Sequence, residues 1–120
     1  MAKTILVVDD EALIAMDIQS QLEDLGHNVL TASDLAEAIA IVRRVSVDLA
    51  VVDWHLRNEV SAPLIDLLKE RQIRFVVCSG SALEELVALF PASPILTKPY
   101  TADDLVTVLN RLIDDGESLH

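Results

Sequence analysis

The sequence predicts an α/β fold in which one parallel sheet carries helices on both faces. Two observations support this. Short apolar, β-branched runs alternate five times with helical stripes over 120 residues, and such alternation builds parallel sheets covered on both sides. Four of the five runs also stop at a carboxylate, a hydroxyl or a lysine, and open α/β sheets gather their chemistry at the carboxyl ends of strands.

Thr4 to Val8 (TILVV) is the first run, stopped by Asp9-Asp10, and suits a strand buried on both faces. Ile14, Ile18, Leu22 and Leu25 follow at helical spacing, and Gly26 stands where a left-handed C-cap would end that helix. Asn28 to Thr31 is the second strand. Ser33 or Asp34 can cap the next helix, which carries Leu35, Ala38, Ile39 and Val42 on one side. Asp48 to Val52 is the third strand, halted by Asp53, and Trp54 to Glu59 reads as a polar loop. Val60, Leu64, Leu67 and Leu68 lie in register on a third helix, with Pro63 tolerated in its first turn.

Arg74 to Cys78 is the fourth strand, ended by Ser79-Gly80. Leu83, Leu86, Val87 and Phe90 form a shorter stripe, closed by Pro91. Ile95 to Thr97 is the fifth strand, ended by Lys98-Pro99. Asp103 falls in the first turn of a last helix with Leu105, Val108, Leu109 and Leu112 aligned, Gly116 at its C-cap and residues 117–120 as a frayed tail. Right-handed crossovers leave few topologies for such a chain. The expectation is a flavodoxin-like (βα)5 three-layer sandwich with a parallel sheet of order 2-1-3-4-5. With no internal period and no linker, residues 1–120 read as a single domain.

Composition narrows the function. Nine basic residues against twenty acidic ones give a net charge of −11, which opposes binding to nucleic acid or to an anionic membrane surface. Cys78 is the only cysteine, so an intrachain disulfide and a cysteine-based zinc site are excluded, and the thiol reads as a small buried hydrophobe. Nothing near the N-terminus resembles a signal peptide, and no apolar stretch approaches the ~20 residues of a membrane helix. These features point to the cytoplasm.

In the expected order the first and third strands are neighbours, so Asp9, Asp10 and Asp53 share one pocket. Two carboxylates ~5 Å apart repel by roughly 3 kcal/mol at an effective dielectric of 20. Three together call for a cation, and hard oxygen ligands suit Mg2+. Lys98 adds a fixed positive charge and Ser79 a hydroxyl. Such a pocket suits a phosphoryl group, with Asp53 as the nucleophile that forms an acyl phosphate, Asp10 as a direct metal ligand and Asp9 assisting.

ILVVDDE at Ile5 to Glu11, LAVVD at Leu49 to Asp53, VVCSG at Val76 to Gly80 and LTKP at Leu96 to Pro99 together resemble the receiver domain of two-component response regulators. The resemblance spans essentially the whole chain, and with no output domain after Gly116 it is to the stand-alone type. It implies that Asp53 accepts a phosphoryl group from a phosphohistidine on a histidine kinase or histidine phosphotransfer protein. It also implies that Asp9, Asp10, Asp53 and the backbone carbonyl of His55 hold Mg2+. Lys98 would pair with phosphoryl oxygens, Ser79 would stand at the family's switch position, and the Lys98-Pro99 bond would be cis. Such a protein catalyses at most its own phosphorylation and dephosphorylation. It acts on a downstream protein target or relays the phosphoryl group. The family's usual partner surface is the face of the fourth helix, fifth strand and fifth helix, to which Leu105-Val106 would contribute.

Three positions depart from the family pattern. Ile95 replaces the aromatic switch residue often found three positions before the lysine. The loop WHLRNEVSAP lacks the family's usual Pro and Gly. His55 occupies a position that tunes acyl-phosphate hydrolysis. VCSGS also loosely resembles the Phe-Ala-Thr-Gly-bulky signature of stand-alone receivers from alphaproteobacteria, through Gly80 and the conservative Ser79.

Each motif alone has a plainer reading: Asp9-Asp10 as a solvated helix cap, Asp53 as a turn residue, Ser79-Gly80 as an ordinary turn, Lys98 as a surface lysine. Trp54 reads as a semi-exposed aromatic, and His27 and His120 as surface residues. The alternative function is a degenerate receiver that keeps the fold as a phosphorylation-independent interaction module. An aspartyl-nucleophile hydrolase would want a second acid at position 55, where His55 stands. A flavin binder would want a Ser/Thr/Gly-rich phosphate loop where Asp9 and Asp10 stand.

Overall fold

The computed structural model describes residues 2–81 and 83–118. Its main strands are β1 (Thr4–Val8), β2 (Asn28–Ala32), β3 (Leu49–Asp53), β6 (Arg74–Ser79) and β7 (Ile95–Thr97). A small hairpin after β3 supplies β4 (His55–Leu56) and β5 (Glu59–Val60). β1, β3 and β6 are buried along nearly their whole length. Aliphatic residues on both faces demand cover on both faces, so these strands form the centre of the sheet. The order is β2-β1-β3-β6-β7, every neighbour pair parallel. Counting these five strands alone, it is the expected order 2-1-3-4-5.

Pleating sends alternate residues to opposite faces. Ile5, Val7, Leu49, Val51, Val76 and Cys78 pack with Ala15, Ile18 and Leu22 of α1 (Ala12–Asp24) and Leu105 and Leu109 of α5 (Ala102–Ser118). Leu6, Val8, Ala50, Val52 and Val77 pack on the other face. They meet Ala38 and Val42 of α2 (Leu35–Arg44), four residues of α3 (Ala62–Glu70) and Leu86 of α4 (Leu83–Leu89). The result is three layers with two apolar interfaces.

Local signals account for most element ends. Gly26 has φ +93 and its N–H donates to the Glu23 carbonyl, closing α1 as expected. Asp34 is the cap of α2: its carboxylate accepts from the Glu37 N–H at 2.8 Å, and Glu37 returns the favour to the Ser33 N–H at 3.0 Å. Pro63 lies in the first turn of α3. Lys98-Pro99 is cis.

The structure corrects several expectations. The segment after Asp53 is not an open loop. His55 pairs with Val60 and Leu56 with Glu59, around a tip where Arg57 has φ +55. Val60 therefore belongs to this hairpin, exposed, and α3 begins after it. Trp54 is only 5% exposed; its ring meets Phe90 edge-on at 5.7 Å, and Phe90 meets Phe75 at 6.1 Å. This aromatic cluster buries what composition alone places at the surface. Leu25 is exposed beyond the end of α1, and Leu83 and Val87 are exposed on α4, so that helix is anchored by Leu86 with Phe90 just past its end. Leu105 is 1% exposed and belongs to the core, so it is not available to a partner. His27 is half-buried and its Nδ1 accepts the Lys3 backbone N–H at 3.1 Å. α5 continues through Gly116 to Ser118, so no C-cap forms there and Glu117 and Ser118 are helical. Leu119 and His120 lie outside the described residues.

Phe90→Ala is expected to cost about 3 kcal/mol of unfolding free energy in urea titration, through lost burial and two lost edge contacts. It should also make Trp54 fluorescence more accessible to iodide. A cost below about 1 kcal/mol would show that the three rings do not form a packed unit.

Candidate functional site

The parallel register decides which side chains meet. Val8 lies beside Val52, Asp53 beside Cys78, and Ser79 beside Thr97. The residues just past these pairs, Asp9 after β1 and Lys98 after β7, therefore share one end of the sheet with Asp53. Asp9 and Asp53 are 3% and 6% exposed, while Asp10 is half-buried. One carboxylate oxygen from each of Asp9, Asp10 and Asp53 lies within 4.8 Å of the others.

Lys98 neutralises part of this charge. Its Nζ is 2.9 Å from Asp53 Oδ2, in a hydrogen-bonded ion pair, and 3.8 Å from Asp9 Oδ2. Its backbone N–H donates to the Ser79 carbonyl at 2.9 Å, which ties the stem of the side chain to β6. Backbone donors hold the remaining carboxylates. The Glu11 N–H donates to Asp9 Oδ1 at 2.9 Å and the Arg57 N–H to Asp10 Oδ2 at 2.9 Å. The His55 backbone N–H faces the Asp53 carboxylate and favours its charged form.

Burial raises the pKa of Asp9; the Glu11 N–H and Lys98 oppose the shift and the neighbouring carboxylates reinforce it. Burial raises Asp53 too, opposed by Lys98 and reinforced by Asp10. For Lys98 burial pulls downward, but the bond to Asp53 and the charges around it raise the ammonium's pKa on balance. Cys78, next to Asp53 across the ladder, is buried, and burial pushes its thiol up to about 12. It is a packing residue, as its sequence context suggests.

The expected site residues are thus gathered unequally. Asp9, Asp10, Asp53 and Lys98 converge. Ser79 is buried at the same edge, but its hydroxyl donates to the Ser81 carbonyl and accepts the Ser81 N–H at 3.1 Å. His55 turns its backbone N–H toward Asp53 while its side chain is exposed. Sequence reasoning missed two contributors. Arg57 acts through its backbone, which no residue type announces. Ser61 is fully buried, and its hydroxyl donates to the Asp53 carbonyl; the only sequence trace was a serine before a Pro-containing helix start. Chemically, the arrangement offers an oxygen-only donor set for a hard divalent cation, beside a carboxylate nucleophile and a fixed ammonium.

Comparison with known proteins gives one consistent result. The response regulator receiver domain family matches residues 5–110. The chain is similar to the alkaline phosphatase synthesis transcriptional regulatory protein PhoP of Bacillus subtilis, 33% identical over 106 residues, 84% of this chain and 44% of that protein. The chain spans about half the length of this and two other curated relatives that it matches. Among solved structures, the CheY-like receiver domain protein of Methanospirillum hungatei superposes with a TM-score of 0.89 at 25% identity, covering 100% of both chains. SdrG of Sphingomonas melonis superposes at 0.79 with 35% identity, covering 93% of this chain and 97% of that one.

The crowding of like charges has a measurable cost. Asp10→Asn removes one repelling charge and keeps an acceptor for the Arg57 N–H. It is expected to stabilise the metal-free protein by about 1 kcal/mol after solvent screening, a rise of about 4 °C in Tm. An unchanged or lowered Tm would show that the carboxylates do not strain the folded state.

Proposed function

This chain belongs to the response regulator receiver domain family, and we propose that it is phosphorylated on Asp53 by a phosphohistidine of a histidine kinase or phosphotransfer protein. Phosphorylation of an aspartate is the general function of the family. The observation that carries the assignment to Asp53 is its buried carboxylate, paired with Lys98 at 2.9 Å and clustered with Asp9 and Asp10. In the reaction an Asp53 oxygen attacks phosphorus, the N–P bond of the donor breaks, and its electron pair returns to the imidazole nitrogen.

Lys98 is set to follow the charge. It pairs with Asp53 before transfer and can pair with phosphoryl oxygens afterwards, a stabilisation of the kind that dominates phosphoryl transfer. Asp9, Asp10, Asp53 and the His55 carbonyl would hold Mg2+, which when bound neutralises charge on the transferring group. The Ser79 hydroxyl must give up its bond to the Ser81 carbonyl to reach the phosphoryl group. That exchange is the switching motion proposed here. Ile95 occupies the expected aromatic position and packs against the interior apolar cluster, so the change would spread without an aromatic rotation. We read residues 1–120 as one receiver unit, cytoplasmic, acting through a downstream protein; no described helix is long and apolar enough to cross a membrane. Ile95 and the unusual loop after Asp53 favour the degenerate-module alternative, and the presence of Asp9, Asp10, Asp53, Ser79 and Lys98 opposes it.

Incubation with Mg2+ and acetyl phosphate is expected to add one phosphoryl group by mass, and beryllofluoride should perturb Trp54 fluorescence. Asp53→Asn should abolish both effects. Silence of the wild-type protein in both assays would favour the phosphorylation-independent module. His55, exposed beside the acceptor, is placed to orient or exclude attacking water. His55→Asn should change the acyl-phosphate lifetime about fivefold, or about 1 kcal/mol in barrier. An unchanged lifetime would remove His55 from the mechanism.

A further inference from the structure

We propose that Ser61 is a positioning residue for the acceptor site: its hydroxyl and backbone N–H pin the two peptide units that aim the Asp53 carboxylate and the His55 N–H that faces it. The proposal rests on the phosphoryl-acceptor reading above and adds to it a residue without charge, eight positions further along the chain.

Ser61 is 0% exposed and stands immediately before α3. A serine at that place ordinarily turns its hydroxyl onto the first helical N–H groups. Here it makes no such cap. The hydroxyl turns inward instead, donating to the Asp53 carbonyl, with the Trp54 carbonyl 3.3 Å away. The Ser61 N–H donates to that same Trp54 carbonyl at 2.9 Å. Its φ of −81 is open to any L residue, so backbone conformation does not select a residue here. The hydroxyl is what distinguishes serine from alanine or glycine at this site.

Peptide planarity turns these bonds into orientation. The Trp54 carbonyl and the His55 N–H belong to one planar unit. Ser61 holds the oxygen end of that unit, and its nitrogen end faces the Asp53 carboxylate. The preceding unit is held in the same way, its Asp53 carbonyl by the Ser61 hydroxyl and its Trp54 N–H by the Cys78 carbonyl at 2.9 Å. Asp53 therefore projects from a backbone clamped by α3 on one side and β6 on the other. The clamp fixes the carboxylate toward Lys98 and toward Asp9 and Asp10. Without the hydroxyl, the Asp53 carbonyl loses its donor while the Trp54 carbonyl keeps the Ser61 N–H, so the Asp53–Trp54 unit can rock and the Asp53 carboxylate is no longer held at a fixed separation from Asp9 and Asp10.

The test compares wild type, Ser61→Ala and Ser61→Gly at a temperature where each is folded by circular dichroism. Three quantities are read: hydrogen exchange of the Trp54 amide in metal-free protein, Mg2+ affinity by calorimetry, and the initial rate of labelling by acetyl phosphate. In both variants Trp54 exchange should quicken about tenfold while Val51 in the sheet centre is unchanged, and Mg2+ affinity and labelling rate should each fall about tenfold, as for loss of other groups that orient metal ligands. A role confined to stability would lower Tm and leave all three at wild-type values below it. Either folded variant with wild-type Trp54 exchange, Mg2+ affinity and labelling rate would overturn the role of Ser61 alone. A wild-type protein that neither binds Mg2+ nor labels would overturn the acceptor reading and this role together.

Discussion

The gathering of three carboxylates at one end of a parallel sheet, with a single ammonium among them, is the constraint on which the rest of the structure depends. Asp9, Asp10 and Asp53 come from sequence positions as far as forty-four apart, and only parallel pairing of β1, β3 and β6 brings their elements to the same edge. Lys98 then has to arrive from the far strand, which it does through the bond between its own N–H and the Ser79 carbonyl. Two apolar interfaces, one on each face of the sheet, hold this edge rigid enough to keep repelling groups together. The core thus supplies the stability that the site gives up, a common arrangement where function needs electrostatic strain.

Much of the fold was legible because buried parallel strands leave a clear mark. Runs such as TILVV and LAVVD have no polar face, and only a central strand accepts that. Helix ends with a local chemical cause, Gly26 and Asp34, were equally readable. What failed did so for tertiary reasons. Val60 fits a helical period, yet the hairpin pairing of His55 with Val60 takes it away from α3. Leu83 and Val87 fit the stripe of α4 but have no layer to pack against. Trp54 looked exposed because its neighbours in sequence are polar, whereas its neighbours in space are Phe90 and Leu86 in the same apolar cluster.

The site divides along a similar line. Side-chain chemistry was legible: a carboxylate or lysine at a strand end can be named from the sequence once the strand order is guessed. Backbone chemistry was not. The N–H groups of Glu11 and Arg57 that hold Asp9 and Asp10 belong to residues whose side chains have little to do with it. Arg57 does so from a left-handed conformation at the hairpin tip, a geometry that no period or composition would suggest. The state of the Ser79 hydroxyl was illegible for another reason, since it depends on a competition between Ser81 and the pocket that only coordinates resolve.

The position of Cys78 carries a consequence for how such a device behaves in a cell under oxidative stress. The thiol stands beside Asp53 in the strand ladder. With burial pushing its pKa up to about 12, the thiol stays protonated at neutral pH. Peroxides and mixed disulfides find almost no nucleophile there. A receiver domain built this way keeps thiol chemistry away from the carboxylate edge of its sheet.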